Sequence, residues 1–292
     1  MTQTTRPAIT KDPKLTRRRW LRRCLGYGSL AALGFYTWRI EPHWIDLVER
    51  PLPLKHLPAS LVGKRLIQLS DIHIGRQVDP DYIRHALELV NSLAPDLLVI
   101  TGDFMTYASA QQLDEVPPII QTLKQPSLGC FAVLGNHDYG REWKEERIGN
   151  TLTSRLTDLG VRVLRNEMVN VQGLQLIGID DFWGPVYAPE ATLIKVSTEQ
   201  AALALCHNPD AQDRAEWQKY QGWVLAGHTH GGQCKPPFLR PPLLPVMNKK
   251  YTAGHFDLGA ARHLYINRGL GHLTRVRFNA RPEITLFTLQ ST

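Results

Sequence analysis

Cysteine is scarce in this chain. The four in 292 residues, Cys24, Cys130, Cys206 and Cys234, form no CxxC pair and no regular spacing. That pattern excludes a thiolate zinc framework and proposes no disulfide pairing. The sequence also lacks internal repeats, and it lacks an excess of basic charge over most of its length. Its formal charge of +7 arises from residues 1 to 39, where Arg6, Lys11, Lys14, Arg17, Arg18, Arg19, Arg22, Arg23 and Arg39 face Asp12 alone to give +8. The remaining residues carry a net charge of −1, so no basic groove for nucleic acid is expected. With 43% hydrophobic residues, the chain can bury the core of one large domain or two small ones.

What is present begins at Thr16-Arg17-Arg18-Arg19-Trp20-Leu21-Arg22, which is similar to a twin-arginine export signal. Fifteen uncharged residues follow, Cys24 to Trp38. They fall short of the ~20 that span a bilayer comfortably but suit a signal h-region. No small-x-small cleavage site follows, so residues 1–40 read as a signal or an uncleaved membrane anchor. The flanking arginines would hold that end in the cytoplasm and place the rest on the extracytoplasmic, periplasmic side of the inner membrane. The proline-rich stretch 41–64 reads as a connector and 65–292 as a catalytic domain.

From Arg65 onward, apolar runs of strand length end in polar clusters. RLIQLS leads to Asp71-Ile72-His73, DLLVIT to Gly102-Asp103, and CFAVL to Gly135-Asn136-His137-Asp138. AALALC leads to His207-Asn208, and GWVLA to Gly227-His228-Thr229-His230-Gly231-Gly232. A helix is expected between the first two runs, capped by Asp79 with Pro80 in its first turn and Ile83, Leu87 and Val90 on one face. Another is expected from about Glu142 to Leu159, closing on Gly160. LQLIGI, RHLYIN and EITLFTL read as further strands, some of them in a second sheet. Ligands at strand ends beside such helices indicate an α/β arrangement with its site beyond the carboxyl edge of the sheet.

Imidazoles with carboxylates and no thiolate suit Mn, Fe or Zn. In an extended segment His228 and His230 would point to the same side. The glycines after them would leave room for a group approaching the metals.

Asp-x-His, Gly-Asp, Gly-Asn-His-Asp, His and Gly-His-x-His, in this order, resemble the calcineurin-like metallophosphoesterases. HNPD, GHTHGGQ, NRGLG and RPEITL, with EPHW and the arginine-rich start, narrow the resemblance to bacterial YaeI/YkuE-type phosphodiesterases. The resemblance implies an α/β four-layer sandwich, two mixed β-sheets flanked by helices, with a dimetal site at the C-terminal strand edge. It assigns Asp71, His73 and His230 to one divalent metal, Asn136, His207 and His228 to the other, and Asp103 to a bridge between them. His137 would contact phosphate and protonate the leaving group, with Asp138 orienting it. Arg268 is either a phosphate contact or a surface arginine.

In the general two-metal scheme a shared hydroxide attacks phosphorus in line with the leaving oxygen. The expected substrate is an exported or membrane-associated phosphoester, with a UDP-2,3-diacylglucosamine-type pyrophosphatase of lipid A metabolism as the alternative. A non-catalytic metal-binding scaffold is the reading of another class, and the filled ligand positions stand against it. The segment GGQCKPPFLRPPLLPVMNKKYTAGHF stays open as a lid, as a membrane-facing lip for a lipid-linked phosphate, or as a loop packed on the domain.

Overall fold

A computed structural model describes residues 17–292; Thr16 of the export-like motif and the residues before it lie outside this range. The first sheet runs in the order β1 (Asp46–Leu54), β12 (Glu283–Ser291), β2 (Arg65–Leu69), β3 (Leu97–Thr101), β4 (Cys130–Val133) and β5 (Val161–Val163). The second runs β10 (Gly254–Asp257), β11 (Arg262–Ile266), β9 (Gly222–Ala226), β8 (Ala202–Cys206), β7 (Leu174–Ile179) and β6 (Glu167–Val171). Both are mixed. Parallel ladders β2–β3–β4–β5 and β7–β8–β9–β11 sit beside antiparallel partners.

The strands alternate between two cores. In β8, Leu203 and Leu205 face the first sheet, while Ala202, Ala204 and Cys206 face outward beneath Trp217. The layer between the sheets joins Leu66, Val99, Val133 and Phe287 to Leu176, Leu203, Leu205 and Tyr265. Burying each such side chain contributes roughly 1.5–3 kcal/mol, which locks the two sheets face to face. The first sheet's other face is covered by helix Pro80–Ser92 and helix Glu146–Asp158. These layers form the expected sandwich.

Helix Pro80–Ser92 starts as the sequence indicates. The Asp79 carboxylate accepts from the Asp81 N–H, and Ile83, Leu87 and Val90 are buried. The second helix begins at Glu146, later than expected, because Trp143 adopts φ +60° and Glu145 is non-helical. EITLFTL forms β12, which returns to the first sheet between β1 and β2.

Residues 41–64 are more than a connector, since nine of them form β1 along the full length of β12. Pro51 and Pro53 are tolerated because β1 is an edge strand, where two missing N–H groups leave no second ladder broken. Helix Arg17–Phe35 buries none of its residues, and no helix among the described residues is long and apolar enough to cross a membrane. All four cysteines are free.

Candidate metal centre

Each of the five strands β2, β3, β4, β8 and β9 ends within three residues of one or more of the expected ligands. Five of these side chains leave their strands through left-handed backbone: Asp71 (φ 49°), His73 (52°), Asp103 (56°), His228 (71°) and His230 (51°). Such conformations cost non-glycine residues about 1–3 kcal/mol each and persist where surrounding structure over-determines them. Here the ladder continues past the strand ends. Asp71 N–H donates to Gly102 O (2.9 Å), His73 N–H to Asp103 O (3.0 Å) and Gly227 N–H to His207 O (3.0 Å).

The turn at 227–230 replaces the extended segment the sequence suggested. Gly231 and Gly232 face Arg268 and Pro241, not the ligand cluster. Glycines that do make room there include Gly135, whose Cβ would lie 2.2 Å from Asp103 Oδ1, and Gly227, whose Cβ would lie 2.3 Å from Asp71 Oδ2.

The side chains converge as two buried triads, Asp71–His73–His230 and Asp103–His207–His228. His73 Nε2 lies 3.0 Å from His230 Nε2, and His230 Nε2 lies 3.3 Å from Asp71 Oδ1. His228 Nδ1 lies 3.2 Å from His207 Nε2, which is 3.2 Å from Asp103 Oδ2. The same Asp103 oxygen is 3.6 Å from His73 Nε2, so it faces both triads. Two nitrogens about 2.0–2.1 Å from one cation and at right angles around it would be about 3 Å apart, so these separations suit shared ligation.

Backbone carbonyls orient two of the rings. His207 Nδ1 donates to Thr101 O (2.6 Å) and His228 Nε2 to Pro245 O (2.7 Å), which leaves His207 Nε2 and His228 Nδ1 as lone-pair donors aimed at a common point. Thr106 Oγ1 meets His73 Nδ1 at 2.9 Å. Asn136 Oδ1 is buried without a hydrogen-bond partner, an acceptor whose need a cation would meet.

Electrostatics prepare the same chemistry. Burial lowers His73 and His228 to about 3 and holds His230 well below the usual imidazole range, so all three are neutral and able to ligate. Burial also opposes charge on His207, but the Asp103 carboxylate outweighs it and holds that imidazole well above the ordinary value. Burial likewise works against ionisation of Asp103, yet His207 and His137 keep it well below the usual carboxylate range. A proton between His207 and Asp103 thus occupies ground that a cation would take over.

His137 follows Asn136 at the mouth. It is half-buried, with its ring edge-on to His73 at 5.2 Å and to Trp143 at 5.7 Å. Asp138 does not orient it. The Asp138 carboxylate instead accepts from the N–H groups of Phe104 (2.9 Å), Met105 (3.3 Å) and Gly135 (2.9 Å), tying the loops after β3 and β4 together. Arg268, considered for phosphate contact, is held by Glu283 and by Asp46 (2.7 Å).

The NRGLG motif serves another arginine. The carbonyls of Arg268, Gly269 and Gly271 accept from Arg277 Nη2, placing this fully buried guanidinium 3.5 Å from His230 Nδ1. Asp181 was missed by sequence reasoning although it follows an apolar run as the candidate ligands do. It is buried at the end of β7, and burial raises its carboxyl to about 7. Trp143 and Trp183, stacked at 5.4 Å, were missed as well; Trp183 is edge-on to His228 at 4.5 Å.

Two mixed sheets bearing paired His/Asp triads at their common edge define a metal-dependent hydrolase of phosphoric esters. The calcineurin-like phosphoesterase family model matches residues 64–232, and the chain belongs to that family. It is 33% identical to the uncharacterized metallophosphoesterase YkuE of Bacillus subtilis, with 96% of this chain and 99% of the relative covered. It is 32% identical to phosphodiesterase YaeI of Escherichia coli, with 94% and 99% covered. It is 27% identical to UDP-2,3-diacylglucosamine pyrophosphatase LpxG of Chlamydia trachomatis, with 88% and 94% covered.

Proposed function

We propose that this chain hydrolyses phosphodiesters of an exported or membrane-associated substrate, with Asp71, His73 and His230 holding one divalent cation, Asn136, His207 and His228 a second, and Asp103 shared. The observation that carries the reading is the single Asp103 oxygen facing both triads. Two such cations, Mn, Fe or Zn, would supply a local charge of about +2 to hold phosphate oxygens and would lower the pKa of an attacking water. The half-buried His137 imidazole stands at the mouth, where it contacts the phosphate and delivers a proton to the leaving oxygen. Asp138 acts one step back, by keeping the loops that carry Asp103 and Asn136 in register.

The arginine-rich start, Arg17 to Arg23, supports recognition by the twin-arginine export machinery and an extracytoplasmic position for the domain. The similarity to LpxG supports a second reading, cleavage of a nucleotide–lipid pyrophosphate. The test is hydrolysis of bis(p-nitrophenyl) phosphate against p-nitrophenyl phosphate with Mn²⁺, Zn²⁺ or Fe²⁺ added in turn. Metal-dependent diester cleavage that falls by about 10²–10⁴-fold in His137→Ala is expected. Metal-loaded protein that turns over neither these esters nor a nucleotide–lipid pyrophosphate would sink the hydrolase reading. A periplasm-active reporter fused after Thr292 that stays silent would sink the proposed topology.

A further inference from the structure

Beside the metal centre lies a second, apolar cavity of about 490 Å³. Leu243, Leu244, Pro245, Leu273 and Val276 line it, and His230 forms part of its wall. His230 therefore belongs to both places, with Nε2 turned toward Asp71 and the ring bordering the cavity. The loop that builds the outer wall is also tied to the other triad, because Pro245 O accepts from His228.

The loop is held firmly over residues 244–249. Asp210 accepts from the N–H groups of Met247 (2.6 Å) and Asn248 (2.9 Å), and Lys249 Nζ donates to Leu244 O (2.8 Å). Yet it turns Phe238 fully outward, together with Leu239 (63% exposed), Leu243 (80%) and Met247 (65%). Exposed apolar side chains grouped on a braced loop mark an interaction surface.

Two further features identify what covers it. The Leu273–Val276 wall adjoins the exit of the N-terminal helix, since Arg275 lies 5.8 Å from the Trp38 ring centroid and Arg277 N–H donates to Thr37 O (2.9 Å). That helix exposes Leu21, Leu25, Leu30, Leu33 and Phe35 along with its arginines. On the loop, Lys235 and Arg240 are exposed beside the apolar tip. Apolar projections ringed by cations fit an anionic bilayer surface, with side chains among the acyl chains and cations at the headgroups.

We infer that this edge sits on a lipid bilayer and that the cavity beside His230 takes an acyl chain of a bilayer-resident phosphoester while its phosphate lies at the metal centre. The inference rests on the phosphodiesterase reading and names the class of substrate for that site.

The test uses the full chain loaded with Mn²⁺ and a series of p-nitrophenyl alkyl phosphodiesters with progressively longer alkyl chains, each below its micelle concentration. Release of p-nitrophenolate should show kcat/KM rising by about threefold to fourfold per added methylene until the cavity is filled. Leu273→Arg should flatten that rise, and Phe238→Asp should weaken sedimentation with phosphatidylglycerol vesicles. Hydrolysis of the shortest ester with no dependence on chain length in the unmutated protein would overturn the acyl site and leave the phosphodiesterase reading standing. Failure to hydrolyse any ester in the series would remove both. Chain-length dependence without vesicle binding would overturn the bilayer surface.

Discussion

The two sheets bring different chemistry to their shared edge. The first delivers mainly oxygen through Asp71, Asp103 and Asn136, with His73 as its one imidazole; the second delivers nitrogen alone, through His207, His228 and His230. Neither edge holds a complete triad, because each triad takes members from both sheets. The cross-links between them are equally mixed. His207, at the end of β8, is oriented by Thr101 O of β3, and the His228 N–H donates to the Asp71 carboxylate. Gln68 Nε2 of β2 donates to Ala226 O of β9 (2.9 Å). A metal centre divided in this way is only as well formed as the packing between the sheets.

The largest expected effect comes from removing the one group that faces both triads. Asp103→Ala should lower diester hydrolysis on the order of 10³-fold and bring bound metal below one equivalent, measured by elemental analysis. Retention of two equivalents would show that Asp103 is not shared. His73→Ala and His207→Ala should each lower metal content while leaving one ion bound, which would separate the triads.

Next is the layer between the sheets. Leu205→Ala, at a fully buried position distant in sequence from any first-sheet ligand, should cost about 2–5 kcal/mol in chemical denaturation and weaken metal binding with it. Unchanged metal affinity despite the lost stability would mean that the edge holds itself together without the core.

An acid response is also expected from His272, outside the two triads. Burial lowers His272 to about 4, while the unfolded chain would have the ordinary value near 6.5. Its Nε2 donates to Gln77 O, and its Nδ1 has no partner. The contribution is therefore fully present above pH 6.5 and is lost as pH falls toward 4, because the unfolded chain takes up a proton that the native state refuses. The loss should approach about 3 kcal/mol, and His272→Gln should flatten the pH dependence of stability over that window.

The smallest effect on turnover is expected at Arg268. Its partners are Asp46 and the buried Glu283, so Arg268→Gln should leave kcat within about twofold while costing about 3–5 kcal/mol of stability. A large kcat loss would return it to the phosphate.

The candidate ligand positions were legible because each follows an apolar run, and burial on both faces makes such strands nearly continuous in sequence. β1 was not legible. Its partner β12 lies at the far end of the chain, and two prolines in nine residues argue against a strand until its edge position is known. Asp138 looked like a partner for His137 because they are adjacent, but its hydrogen bonds run to a different strand loop. Arg277 carries no motif of its own. Only the fold shows that the carbonyls of Arg268, Gly269 and Gly271 form the cage that holds it beside His230. Trp143 and Trp183 come from loops on different sheets, a pairing that no local pattern records.

The five candidate ligands in left-handed backbone also bear on how such a site could decay over generations. If they hold metal as proposed, an alanine at Asp71 or His230 would discard a ligand while keeping the conformational penalty. A glycine or asparagine would discard the ligand and relieve much of that penalty as well. A descendant freed from catalysis is therefore expected to fill these positions with the residues that tolerate the turn, so that a lost enzyme would still mark, in glycines, where its metals had been.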